Sequence, residues 1–220
     1  MTRFEYYERL KLLAQRLRKS YGLDTPRVLR SDLRRICRSE GIRRIDLWPH
    51  NFKKLRGAYF NDDLGPTILL AKNLPEEPRI FTMGHELKHH LVDKDSPVFA
   101  DKTSALSFCD TSNGSDPIEI GAEVFSAELI FPEQDFMDWL AKRNVKTGGC
   151  TPEILIRMKR DTKTTLSYAG LTKRAVRLKF SAKDAFVNVR WKKLEEKLYG
   201  EPVYKRFRHF GKTALRFSSS

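Results

Sequence analysis

Met83-Gly84-His85-Glu86-Leu87-Lys88-His89-His90 is the stretch around which the chain is read. His85 and His89 are four residues apart. On an α-helix that spacing is about 400° of rotation, so the two rings stand one turn apart on one face. Two imidazoles presented that way can bind one transition metal. Glu86 lies about 100° from His85 and about 60° from His89, at ~100° per residue. It flanks the ligand face without sharing it, as a general base must. His90 is about 140° from His85 and is excluded as a ligand.

The flanks place this stretch on a partly buried helix. Met83, Leu87 and Leu91 form one row, and Glu76, Glu77 and Pro78 suit a first helical turn, which predicts a helix over residues 76–92. The pattern itself, H-E-x-x-H, is that of zinc peptidases, but it also arises on ordinary amphipathic helices with surface histidines. A catalytic zinc needs a third protein ligand, with the fourth position left to water. Downstream, Ile118, Ala122, Phe125 and Leu129 recur at three and four, which predicts a buried helix over 117–132. Glu119 and Glu123 share one face of it. Carboxylates on a buried face are costly unless paired or bound to metal. Glu119 is the expected third ligand. Glu123 is expected behind it, accepting the free ring N–H of a ligating histidine. Glu128 lies off that face and reads as structural.

Taken together, His85-Glu86-Leu87-Lys88-His89 and Glu119-x-x-Ala122-Glu123-x-Phe125-x-Ala127-Glu128-Leu129-x-x-Pro132 resemble the ImmA/IrrE family of metallopeptidases. The resemblance spans roughly residues 5–180 and is tightest over 79–132. It implies a gluzincin-like site with Zn2+ on His85, His89 and Glu119, and Glu86 as catalytic base. Glu123 departs from the family's more frequent Asn or Asp. The resemblance also implies an edge strand lining the cleft and pairing with extended substrate. Finally, it implies a substrate class: a partner repressor of helix-turn-helix type, cut at a specific site.

The rest of the chain predicts an α+β fold, a small antiparallel or mixed sheet packed on the metal helices with further C-terminal helices. Tyr7, Leu10, Leu13, Leu17 and Tyr21 stripe a helix over 4–20 that Gly22 stops. A second helix starts near Ser31 or Asp32, either of which can cap it, and stops at Gly41. Residues 42–48 read as a strand, and 57–60 with 67–71 as a hairpin around Asn61-Asp62-Asp63-Leu64-Gly65-Pro66. Residues 93–116, polar and without periodicity, read as a loop. Helices follow over 132–143, from Thr151-Pro152-Glu153 to about Arg160, over 165–180 and over 191–199, the last ended by Gly200. Residues 185–189 read as a short strand, and 204–220 as a basic tail. The division expected is 1–180 for a peptidase domain and 181–220 for a basic extension.

Composition excludes some classes. No run of apolar residues reaches the length of a membrane span, and Met-Thr-Arg-Phe-Glu-Tyr-Tyr reads as a start without a signal region. Cys37, Cys109 and Cys150 lack C-x-x-C spacing and read as free thiols of a cytoplasmic protein. The net charge of +14 is uneven: residues 82–140 hold 3 Lys/Arg against 12 Asp/Glu, net −9, while 141–220 hold 21 against 6, net +15. The basic end allows weak, nonspecific nucleic-acid contact. Its short helix pair, ending in Lys173-Arg174-x-x-Arg177-x-Lys179, carries the rival reading of a DNA-binding regulator or antitoxin-like protein with an idle metal site. The reading preferred is a zinc-dependent endopeptidase acting on a protein partner.

Overall fold

A computed structural model describes residues 2–48, 55–94, 107–110 and 116–200. The basic tail expected over 204–220 lies outside the described residues. The chain forms two compact units, Met1–Phe136 with Thr164–Ser167, and Met137–Lys163 with Tyr168–Ser220.

The first unit opens with α1 (Arg3–Ser20), held at its start by a capping box: Glu5 N–H donates to Thr2 Oγ1 (3.2 Å) and Thr2 N–H to Glu5 Oε2 (2.8 Å). Leu10, Ala14 and Leu17 form its buried face. In α2 (Arg30–Ser39) the first turn comes slightly earlier than expected. Asp32 does not cap from outside; it sits in that turn and its carboxylate accepts the Leu29 N–H at 2.8 Å. β1 (Arg44–Trp48), β2 (Leu55–Asp62) and β3 (Gly65–Ala71) follow, and β2 and β3 form the expected antiparallel hairpin. β1 runs parallel to β3, so the sheet is mixed and the fold α+β, as the sequence predicts.

One sequence expectation fails here. The stretch 93–116 is not all loop, because β4 (Ser107–Asp110) pairs antiparallel with β2. The sheet order is therefore β1-β3-β2-β4, so neither strand of the hairpin is an edge; β4 lies on the outer side of β2. That ladder loses register between Leu55 and Ala58, beside Gly57.

The sheet carries α3 (Glu76–Lys88), which continues into one π-helical turn (His89–Asp93), and α3 packs in turn against α4 (Pro117–Ile130). Ile80, Met83 and Leu87 are fully buried, each contributing roughly 1.5–3 kcal/mol of apolar burial. The two helices approach closely at Gly84: a Cβ there would lie 2.6 Å from Ser126 Oγ, which donates to Phe81 O at 2.7 Å. The far end of α4 is held by α1. Arg18, buried, donates to Leu129 O (2.8 Å) and Ile130 O (3.3 Å), the carbonyls a helix end leaves unpaired. Glu128 is structural, as expected: it accepts from Gln15 Nε2 (2.9 Å) and from Glu133 N–H (2.9 Å) at the start of α5 (Glu133–Ala141).

In the second unit, α6 (Pro152–Thr162) begins at the Thr-Pro-Glu signal, and α7 (Tyr168–Arg177) and α8 (Trp191–Tyr199) follow. Gly200, at φ 75°, ends α8 as expected. Tyr168 stacks on Trp191 at 4.3 Å and hydrogen-bonds Glu195, tying α7 to α8. The strand expected over 185–189 is absent. Lys183–Phe186 form a 3-10 turn that closes with Val187 N–H on Asp184 O at 3.0 Å, and no strand among the described residues lies beside it to pair with.

Candidate metal centre

The two helical periods deliver the expected ligands to one point. His85 Nε2 is 3.1 Å from Glu119 Oε2, and His89 Nε2 is 3.4 Å from Glu119 Oε1. All three donor atoms lie within 4.8 Å of one another. Donors in a tetrahedral zinc site with bonds of ~2.05 Å stand about 3.3 Å apart, so the spacing fits. Both histidines are buried and Glu119 is 13 % exposed, which leaves one open side.

The donor chemistry fits as well. Burial pushes the His89 pKa down, opposed by its hydrogen bond to Asp93, so the ring is held neutral, the form that ligates metal. His89 Nε2 faces Glu119 Oε1, the second donor atom of the group. Glu86 is fully buried, and neither of its carboxyl oxygens has a hydrogen-bond partner among the described residues. Burial first, and the Glu119 charge second, raise its pKa well above the ordinary carboxylate value. A buried carboxylate left so is costly, and a nearby cation reverses that cost. Glu86 is also crowded from the sheet. A Cβ on Gly57 would fall 2.3 Å from Thr82 Cγ2 and 2.9 Å from Glu86 Oε1, so β2 can lie against the base only because residue 57 lacks a side chain.

One carboxylate that holds a histidine of this group is not named by the sequence reading. Asp93 Oδ2 accepts from His89 Nδ1 at 2.7 Å, fixing the tautomer that leaves Nε2 free. The sequence reading gave such a role to Glu123, which lies half-buried one turn beyond Glu119. Asp93 falls at the start of the polar stretch, four residues after His89, the spacing that puts two side chains on one helix face; a helix ended at residue 92 leaves that signal unused. His90, excluded as a ligand, lies elsewhere: Nδ1 meets Tyr59 Oη and Nε2 meets Glu40 O, both at 2.9 Å. Among the described residues no second group of His, Cys, Asp or Glu gathers to hold a metal.

A buried H-E-x-x-H helix with a glutamate from a second helix defines a metallopeptidase type of site. The comparison with known families agrees: residues 42–147 match the peptidase M78 family, described as the IrrE N-terminal-like domain. That segment holds β1 to α5 and all four site residues, and it belongs to the ImmA/IrrE family. No curated protein matches the sequence.

Proposed function

We propose that the protein is a zinc-dependent endopeptidase that cuts a partner protein at limited sites. The observation that carries this is the convergence of His85, His89 and Glu119 beside the buried, unpartnered Glu86. When bound, zinc supplies an acidified water and a Lewis acid for the scissile carbonyl. Glu86 takes the proton of the attacking water and passes it to the leaving amine. Its place one residue after His85, buried against the ligand group, suits both duties. His85, His89 and Glu119 hold the metal, and Asp93 keeps His89 in register.

An extended substrate adds to a sheet by main-chain hydrogen bonds. The outer side of β2, beside Glu86, is where it gains most. β4 lies there now, but its ladder is four residues long and breaks register beside Gly57. Substrate is therefore expected to displace β4. The substrate class that the family likeness supports is a helix-turn-helix repressor. The free buried thiols of Cys37 and Cys150 suit a cytoplasmic location. In the second unit Lys173, Arg177 and Lys179 are exposed and suit weak nucleic-acid contact, although Arg174 of the same run is buried. The test is metal content with cleavage of a co-encoded repressor: about one zinc per chain and one or two discrete fragments are expected. A chain that binds no zinc, or leaves every such partner whole, defeats the proposal.

A further inference from the structure

Lys88 occupies one of the two variable positions of the motif, yet its side chain is 0 % exposed. A buried ammonium needs partners for all its donors. Its Nζ donates to Asp93 Oδ2 at 2.6 Å and to Ile118 O at 3.0 Å, and sits 5.6 Å from the centre of the Tyr6 ring, within cation–π range. Each acceptor is one link from a metal ligand. Asp93 Oδ2 is the atom that also accepts from His89 Nδ1, and Ile118 is the residue before Glu119.

The π-turn makes this arrangement possible. On a plain α-helix residues 88 and 93 would point about 140° apart. The i→i+5 bonding of His89–Asp93 brings Asp93 back over Lys88 while keeping it against His89. One charge therefore spans the gap between α3 and the first turn of α4, the two elements that supply the ligands.

We infer that Lys88 is a positioning residue of the metal site, holding the Asp93 carboxylate against His89 and the Ile118 carbonyl behind Glu119, and so setting two ligands at once. This rests on the zinc reading above. A merely structural ion pair would affect the melting temperature alone; a positioning residue also alters the metal's affinity and coordination geometry in protein that is still folded.

The test compares wild type with Lys88→Met, using zinc competition against a chelator and the visible absorption of the cobalt-substituted protein, with circular dichroism reporting the fold. Lys88→Met is expected to bind zinc about 10–100-fold more weakly, the range for changes behind a metal ligand. Its cobalt bands are expected to shift or lose intensity. Should Lys88→Met not fold, Lys88→Gln carries the test: it keeps a donor on a shorter stem while removing the charge that grips Asp93, and the same two changes are expected. Folded variant protein with wild-type zinc affinity and an unchanged cobalt spectrum overturns the inference and leaves the zinc reading standing. Wild-type protein that binds no zinc overturns both.

Discussion

The same residue type does opposite things at the two ends of this chain. In the acidic region around the metal centre, Lys88 is sealed from solvent, with three partners and a fixed position. In the second unit Lys159 is buried too, over the Tyr168 ring at 5.2 Å, but Lys173, Lys183, Lys192, Lys193 and Lys197 are all exposed. Exposed charges are screened by salt and hold no geometry, whereas a buried one is tolerated only where its surroundings are fixed. Under the proposed function, the difference places the chemistry in the charge-bearing interior of α3, the π-turn and α4, and leaves the basic end a field.

The largest expected effects fall on that interior. His85→Ala, His89→Ala and Glu119→Ala should each lose zinc, seen by elemental analysis of purified protein, and lose cleavage with it. Full zinc retention in all three would remove the metal centre from the comparison altogether. Glu86→Gln comes next. It should keep about one zinc per chain yet lower the cleavage rate about 10²–10⁴-fold, the contribution of a general acid–base group. Unchanged turnover in Glu86→Gln would sink the assignment of the base while sparing the ligands.

What could be read from sequence follows how local each signal is. The row Met83, Leu87, Leu91 and the pair His85, His89 are written in helical period, and Glu119 in the period of α4, so the meeting of His85, His89 and Glu119 was legible. Asp93 was passed over although it stands four residues after His89, and its reach to Lys88 depends on a π-turn that no residue pattern in His89–Asp93 marks. Lys88 read as a variable position, since a lysine is expected to face water. β4 was missed because a four-residue strand is defined by its partner β2, fifty residues earlier in the chain, and not by its own sequence. Conversely, residues 185–189 looked extended, but a strand needs a neighbour to bond and none among the described residues is there. Gly57 sat unremarked inside a hairpin; its importance lies in what a Cβ would touch.

Gly57→Ala is accordingly the next, smaller way to sharpen the contrast. The added methyl meets Thr82 Cγ2 at 2.3 Å, Glu86 Oε1 at 2.9 Å and the backbone Leu69 O at 3.2 Å. Overpacking of this kind costs about 1–3 kcal/mol. Denaturant unfolding should show that loss, and turnover should fall more than zinc affinity because the base moves and the ligands do not. A change in stability alone, with wild-type turnover, would show that Glu86 tolerates displacement.

The smallest effect is expected at the basic end. Removing residues 201–220 deletes Lys205, Arg206, Arg208, Lys212 and Arg216 against the single Glu201, a net loss of four positive charges. Zinc content and single-turnover cleavage should stay near wild type, because the ligands, base and positioning residue assigned above all lie between residues 85 and 119. Encounter with an acidic or DNA-bound partner should slow at low salt, and the difference should vanish as ionic strength rises and the Debye length shortens to about 8 Å at 0.15 M. The full chain should bind duplex DNA weakly, without sequence preference and with a steep salt dependence, since phosphate contacts release counterions but read no bases. A sequence-specific complex that survives physiological salt, together with normal cellular function of Glu86→Gln, would invert the comparison: the exposed lysines would then carry the function, and the buried centre would be left as a structural support.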